Sequence, residues 1–365
     1  MSSFLSLPLE IRVSIIEQVL CGCRTPPTYP SKSDRIDFQD IVYKAWLSRT
    51  KIYHEQRSTH CPSNCLPLLL TNRQIHGETQ SALSRKNSKL PYVLDISILN
   101  DYDLFPTWLS VPHLTNRVHA LHVDVRLFGS IIPSKIAKRL LGDGGRLGFH
   151  WSFYALLERF LRYGPVDEKK EKRNPGLGES EVSDPDELPL FARRNPTFED
   201  RDMVVEILTL DFQSAEPVLP FPPDNIGYNE WQGQHCAHRL NFDQIDGPCQ
   251  LEKYRTRPEW PAKYILSEIL ALLDMSYYTA SYGNILYERI GTIRILSPEG
   301  ATEIDLASRL AALRFTNPQD TFGNVWPAED RLSQFWKWKQ QTLARREQLG
   351  LPVVWPQDPE LNGLL

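Results

Sequence analysis

The chain has few cysteines, no long apolar run and no surplus of positive charge. Six cysteines among 365 residues are too sparse for the disulfide framework of a secreted protein, so we expect a reducing compartment, cytoplasmic or nuclear. No stretch approaches the roughly 18 apolar residues of a membrane helix, and Glu10 and Arg12 interrupt the early apolar run that a signal peptide would need. The net charge of −4 predicts no general binding to nucleic acid, which usually requires a basic face.

The chain also lacks the short motifs that mark common catalytic sites. It contains no GxSxG elbow, no GxxxxGK[ST] phosphate loop, no GxGxxG fingerprint and no HExxH zinc motif. Residue types of a thiol- or metal-dependent site do occur together at His235, Cys236 and His238, with Cys249 further along. A cysteine nucleophile also needs a base and an orienting group, and the sequence identifies neither. We therefore predict no catalytic activity and keep a thiol- or metal-dependent enzyme as a distant alternative.

An amphipathic segment stands near the N-terminus, at Phe4–Leu20. Its apolar residues Leu7, Ile11, Ile15 and Val19 recur every four positions, which is the period of one helix face. Such a helix is also consistent with an ordinary core element that packs against the rest of the chain. The periodicity therefore predicts a helix with one apolar face and leaves open what covers that face.

Two blocks of sequence resemble an F-box. The first reads Leu7-Pro8-Leu9-Glu10-Ile11-Arg12, followed by Ile15-Ile16 and Val19-Leu20, and is similar to the first F-box helix (LPxEI…I…L). The second, LLLTNRQIHGE at Leu68–Glu78, resembles the later F-box segment, with Arg73 and Ile75 at the matching places. The chain looks most like the divergent F-box-like proteins of filamentous fungi. It departs from an ordinary F-box because Cys21–Pro67 separates the blocks and Asn72 stands at the usual cysteine.

The resemblance implies a non-enzymatic interaction protein, a substrate receptor of a cullin–RING ubiquitin ligase. The N-terminal helices would bind the ligase adaptor subunit by placing an apolar helix face in a hydrophobic groove, and the rest of the chain would present a protein substrate. The adaptor-binding residues implied by the match are Leu7, Pro8, Ile11, Ile15, Leu20, Leu70 and Ile75. The alternative is a structural or scaffold protein whose N-terminal helices only cap the sheet domain, with no ligase link.

Four cysteines bracket the insert between the two blocks. Cys21 and Cys23 form a CxC pair, and Cys61 and Cys65 form a CxxxC pair. Four thiolates are a suitable tetrahedral set for zinc, although the CxxC spacing of a zinc ribbon is absent. Buried free thiols are the alternative, and we expect no cofactor other than this zinc.

Beyond residue 90 the pattern changes to alternating strands separated by helices. The predicted strands are Tyr92–Ile98, Val118–Val125, Val205–Phe212 and Ile290–Leu296. Asn100–Ser110 is predicted as a short helix, giving a strand–helix–strand unit of a parallel sheet. Three of these strands would have equivalent positions at Leu121, Leu208 and Ile293, which are separated by 87 and 85 residues. These separations exceed the repeat length of leucine-rich repeats, about 20–29 residues. We therefore predict an irregular, leucine-rich-like sheet backed by helices.

The remaining segments predict helices and two long loops. The predicted helices are Leu66–Arg85, Phe149–Tyr163, Lys263–Tyr282, Glu303–Phe315 and Glu329–Leu349. The charged stretch 165–190 has almost no large apolar residue and is predicted to be disordered. Residues 216–260 are rich in Pro, Gly and aromatic side chains, and we expect a recognition surface there at Tyr228, Trp231 and Phe242.

The predicted fold class is therefore α+β. Residues 1–90 form an F-box-like helical module with an insert at 21–67, residues 91–350 form an α/β substrate-recognition domain, and 351–365 form a tail. An apolar content of 41% is enough for both parts to have a core. The expected partners are a ligase adaptor and a protein substrate, with neither nucleic acid nor membrane.

Overall fold

The computed structural model describes most of the chain. The described residues are 4–33, 35–37, 51–55, 63–85, 89–132, 141–142, 145–146, 149–165, 202–215, 218–235, 250–276, 279–314 and 328–356. Several predictions lie outside them: nearly all of the charged loop 165–190, and Cys61, Cys236, His238, Phe242 and Cys249.

Helices and strands alternate irregularly along the chain. The α-helices are α1 Leu9–Leu20, α2 Cys65–Thr71, α3 Arg73–Arg85, α4 Phe149–Tyr163, α5 Tyr228–His235, α6 Glu259–Leu273, α7 Ala280–Arg289, α8 Leu306–Ala312 and α9 Ala328–Gln348. The strands are β1 Arg35–Asp37, β2 Lys51–Glu55, β3 Tyr92–Leu99, β4 Asp103–Ser110, β5 Arg117–Phe128, β6 Leu141–Gly142, β7 Gly145–Arg146, β8 Val204–Ser214, β9 Ile290–Ser297 and β10 Gly300–Asp305. Short 3₁₀ turns occur at Phe4–Ser6 and Gln250–Lys253.

One mixed sheet organises the larger part of the chain. Its described strands are ordered β1-β2-β4-β3-β5-β8-β9-β10. The central series β3, β5, β8 and β9 is parallel, whereas β4 and β10 pair antiparallel with β3 and β9. Leu121 lies opposite Leu208, and Leu208 lies opposite Ile293. The predicted equivalence of these three residues is confirmed, as is the mixed α+β class.

The main core lies between one face of this sheet and the helices of the C-terminal half. Side chains alternate between the two faces of a strand, so Leu121, Val123 and Val125 of β5 all point into this core. Side chains from α4 to α9, such as Trp231, Tyr264 and Phe335, complete it. The opposite face of β5 carries polar residues such as His122 and Asp124, which are half-buried in the described part of the chain. We call this the uncovered face of the sheet.

The segment Asn100–Ser110 does not form the predicted helix. Asn100 and Asp101 have positive φ angles of 52° and 60°, and the amide of Tyr102 donates to the carbonyl of Leu99 at 3.2 Å. Positive φ at both central residues is the geometry of a tight hairpin turn, which asparagine and aspartate tolerate. The same residue types favour helix N-caps, so the sequence alone indicated a helix. The chain instead returns as β4, antiparallel to β3.

Three other predicted helices have different boundaries. Leu66–Arg85 is divided into α2 and α3 at Asn72, whose side chain accepts a bond from the amide of Ile75 at 2.9 Å and so caps α3. Lys263–Tyr282 is divided into α6 and α7. Glu303–Phe315 begins as strand β10, and its helix starts only after Asp305, which accepts from the amide two residues on. The helix predicted at Phe149–Tyr163 has the same bounds as α4.

Helices α1, α2 and α3 surround a second, smaller core. Its buried members are Ile16, Leu20, Cys65, Ala82 and Leu90. This core is distinct from that of the sheet. The exposed surface of α1 is therefore not needed to cover the sheet.

Asn64 fastens these helices to the end of β4. Its side-chain Nδ2 donates to the carbonyls of Leu20 at 3.0 Å and Gly22 at 2.8 Å, and to Ser110 Oγ at 3.2 Å. Its backbone amide donates to the carbonyl of Val111 at 2.8 Å. One side chain thus joins the end of α1, the start of α2 and the sheet.

The segment predicted as a tail begins inside the fold. Leu351 is buried, and Val353 packs against the main core. Arg346 Nε donates to the carbonyl of Pro352 at 3.0 Å. Residues 351–353 therefore belong to the α/β domain, and residues from 357 onward lie outside the described part of the chain.

The crossing of α6 and α7 requires a residue without a side chain at Gly283. A Cβ there would lie 2.1 Å from the carbonyl oxygen of Leu272 and 2.8 Å from Met275 Sδ. We expect Gly283→Ala to lower the free energy of unfolding by about 1–3 kcal/mol because the helices must move apart. Gly77→Ala is the control, since Gly77 lies within α3 and has nothing within 4 Å of its Cβ position. The free energy of unfolding of Gly77→Ala should rise by roughly 0.5–1 kcal/mol. Chemical denaturation measures the free energy of unfolding of both variants. Equal changes from wild type would contradict the close packing at Gly283.

Candidate docking surface on the N-terminal helices

Helix α1 buries one line of side chains and exposes the next. The buried line has four-residue spacing and consists of Arg12, Ile16 and Leu20. The neighbouring line, Ile11, Ile15 and Val19, has exposed fractions of 49%, 36% and 41%. We call these three residues the α1 ridge. Apolar side chains that lie together in water are typical of a surface that another molecule covers.

The residues implied by the F-box resemblance divide into surface and core positions. Ile11, Ile15 and Pro8 are exposed, Leu7 is half-buried, and Leu70 of α2 is 75% exposed.

Leu20 and Ile75 are buried and do not belong to a docking surface. Leu20 is a member of the small core, and Ile75 is 6% exposed. Both therefore hold the helices together, and the prediction that they contact an adaptor directly is wrong. A stripe of apolar residues alone does not separate the side of a helix that faces its own core from the side that faces a partner.

Arg12 is the polar member of the buried line and joins α1 to α3. Its Nη2 lies 2.6 Å from Glu78 Oε1, and its Nε donates to Glu78 Oε2 at 3.1 Å. Its Nη1 donates to the carbonyls of Leu5 and Leu7. The guanidinium therefore holds the turn before α1 and aligns the α1 ridge relative to α3. Hydrogen bonding to Arg12 lowers the pKa of the Glu78 carboxyl.

The Arg12–Glu78 pair predicts a pH dependence of stability. A carboxyl whose pKa is lowered in the folded state stabilises the fold above its unfolded pKa, and this contribution is lost as pH falls through the folded value. We expect wild type to be more stable than Glu78→Gln at pH 6, and the difference to shrink as the pH falls below about 4.5. Urea unfolding of both chains at pH 6 and pH 3 measures it. A difference that is the same at both pH values would contradict the ion pair.

The described cysteines do not form the predicted zinc set. Cys65 is buried, with its Sγ 3.2 Å from Ser63 Oγ, whereas Cys21 and Cys23 are exposed beyond the end of α1. In the described part of the chain, these three do not form a group with ligand atoms within 4.8 Å of one another. Cys61 lies outside the described residues. The packing of Cys65 in the small core separates it from the other two thiols.

The prediction of a recognition surface at Trp231 is wrong. Trp231 is fully buried in the main core, and Tyr228 is half-buried against the same core. The indole Nε1 donates to Asp101 Oδ2 at 3.0 Å, and Thr256 Oγ1 lies 2.6 Å from Asp101 Oδ1. Trp231 therefore anchors helix α5 to the hairpin turn between β3 and β4. Phe242 lies outside the described residues.

The uncovered face of the sheet carries a cluster of three polar side chains that no sequence motif marks as a site. His122 and Asp124 of β5 and Asp211 of β8 are all half-buried, with ligand-type atoms within 4.8 Å of one another. His122 Nε2 lies 3.1 Å from Asp124 Oδ1, and this hydrogen bond raises the pKa of His122. Alternation along β5 places His122 and Asp124 on one face. The contribution of Asp211 depends on the pairing of two distant strands.

Comparisons of the chain with protein-family models, with curated proteins and with solved structures find no match. Within the described residues, no helix combines the length and hydropathy needed to cross a membrane. The functional interpretation therefore depends on the geometry of the chain and on the two F-box-like blocks.

Proposed function

We propose that this chain is an F-box-like substrate receptor that binds the adaptor subunit of a cullin–RING ubiquitin ligase through the α1 ridge. The observation that carries the proposal is the exposure of Ile11, Ile15 and Val19 on a helix whose adjacent line is already buried in a core of its own. In this proposal the α1 ridge binds in a hydrophobic groove of the adaptor.

The physical basis is the burial of an apolar helix line in a groove. Full burial of one large aliphatic side chain contributes about 1.5–3 kcal/mol, so three of them together with exposed Leu70 supply several kcal/mol toward binding. Residues Glu10 and Gln18 lie at the margins of the ridge and are exposed. They would form the polar rim that usually surrounds a hydrophobic interface.

The α/β domain would present the protein substrate. Its parallel strands carry aligned Leu and Ile residues, as in an irregular leucine-rich-like domain. Their other face carries half-buried polar side chains in the described part of the chain. In this proposal the chain has no catalytic role, because the ligase's partner enzyme carries the ubiquitin. It would act where cullin–RING ligases act, in the cytoplasm or nucleus.

One observation favours the scaffold alternative. Asn64 and its neighbours attach the N-terminal helices firmly to β4, as expected of helices that only cap the sheet domain. The two functions differ in whether another protein covers Ile11 and Ile15. A receptor requires this contact with the adaptor, whereas helices that only cap the sheet domain do not.

Co-expression of the full chain with the ligase adaptor of its own host tests the proposal. We expect a complex of one chain and one adaptor to co-elute in size-exclusion chromatography, with either partner carrying the affinity tag. An adaptor and a folded chain that elute separately in both arrangements would contradict the proposal and favour the scaffold function.

A further inference from the structure

The side chains on the uncovered face of the sheet converge at one place. A loop after α1 covers the β3 side of this face, where Arg126 Nη2 donates to the carbonyl of Pro27 at 2.8 Å. The β5 and β8 side remains half-exposed.

Strand register brings two carboxylates face to face on this surface. Asp124 of β5 lies directly opposite Asp211 of β8 in the parallel pairing. Like charges directly opposite on neighbouring strands are unfavourable. Each is partly compensated within its own strand, Asp124 by His122 at 3.1 Å and Asp211 by the amide of Gln213 at 2.7 Å. These contacts leave oxygen atoms of both carboxylates available.

The nearby arginines are engaged elsewhere. Arg126 forms an ion pair with buried Asp95, with Nη2 2.9 Å from Oδ2. Arg294, on β9, pairs with Glu303 of β10 at 2.7 Å. Among the described residues, one imidazole and no arginine ion pair therefore lies beside the two opposed carboxylates.

The distances suit one metal ion. Zinc lies about 2.0–2.2 Å from imidazole nitrogen and carboxylate oxygen, so two ligand atoms on the same tetrahedral ion are about 3.3–3.6 Å apart. The ligand atoms of His122, Asp124 and Asp211 lie within 4.8 Å of one another, and small side-chain rotations bring them into this range. An imidazole in the set favours Zn²⁺ and other transition metals over Mg²⁺ or Ca²⁺, which prefer oxygen ligands.

We propose that His122, Asp124 and Asp211 form a divalent-cation site that binds Zn²⁺ on the uncovered face of the sheet. The backbone fixes the three ligands through β5 and β8, and the remaining coordination positions face solvent. A three-residue site with open positions is distinct from the four-cysteine site that the insert suggested.

Equilibrium dialysis of the full chain against ZnCl₂ tests the site. We expect a bound zinc that Asp211→Asn and His122→Gln each weaken at least tenfold. The matched control is His119→Gln, because His119 Nδ1 and Glu206 Oε2, 2.6 Å apart, form a histidine–carboxylate pair on the same two strands. His119 and Glu206 do not belong to a three-ligand group among the described residues. The control should bind zinc like wild type.

A second measurement keeps the test decisive if a variant folds poorly. Addition of ZnCl₂ to the wild-type chain should shift the His122 imidazole resonances in NMR spectra and leave those of His119 in place. Zinc binding that is unchanged in Asp211→Asn, or a wild-type His122 signal that does not respond, would overturn the proposal.

Discussion

Replacement of Ile11 and Ile15 together by aspartate is expected to abolish binding to a ligase adaptor and to leave the fold intact. Both side chains are solvent-exposed, so the new carboxylates meet water in the free chain. In a hydrophobic groove they would lose that water without gaining a partner, which costs several kcal/mol. Since each 1.4 kcal/mol is about a tenfold change, affinity should fall by at least about 100-fold. Co-elution with the adaptor measures binding, and thermal unfolding monitors the fold.

A pair on helix α3 provides the control. Gln80 and Ser84 are exposed and have the same four-residue spacing. Gln80→Asp with Ser84→Asp adds the same charge to the N-terminal helices outside the α1 ridge and should retain adaptor binding. Equal loss in both double variants would indicate a general effect of charge. Continued binding by the Ile11/Ile15 variant would refute the α1 ridge as the docking surface.

Trp231→Ala is expected to destabilise the α/β domain by about 3–5 kcal/mol, the usual cost of removing a fully buried tryptophan. The substitution leaves a cavity beside Trp260 and Tyr264 and removes the indole donor to Asp101. Urea unfolding should show a lower midpoint. A tryptophan on a recognition surface would instead lose partner binding without a loss of stability.

Trp355→Ala is the matched control, because Trp355 is 55% exposed. The free energy of unfolding of the Trp355→Ala variant should stay within about 0.5 kcal/mol of wild type. Similar midpoints for the two alanine variants would contradict the central position of Trp231. The comparison also tests whether helix α5 belongs to the main core through Trp231.

The strands were predictable because their burial is visible locally. Alternation along β5 separates Leu121, Val123 and Val125 from the polar face, and the same pattern in β8 and β9 predicted which residues align across the sheet. Helix α4 was equally clear, since its apolar period covers the whole of Phe149–Tyr163. In these elements the local pattern and the tertiary packing agree.

The remaining features depend on contacts between distant parts of the chain. Asn100 and Asp101 suit a helix cap and a hairpin turn equally well, and only the pairing of β4 with β3 separates these outcomes. The exposure of Ile11 and the burial of Leu20 depend on where α3 packs, although both belong to one apolar pattern. Asp124 and Asp211 meet because of strand register across an 87-residue separation.

The three bonds of the Asn64 amide group have a consequence for any assembly that contains this chain. A protein bound to α1 and a ligand bound to the uncovered face of the sheet would be held at a constant distance and angle from each other. The chain would keep the two bound molecules in a fixed relative orientation, and the Asn64 side chain would share that task with the backbone bonds from Asn64 to Val111 and from Cys65 to Pro112.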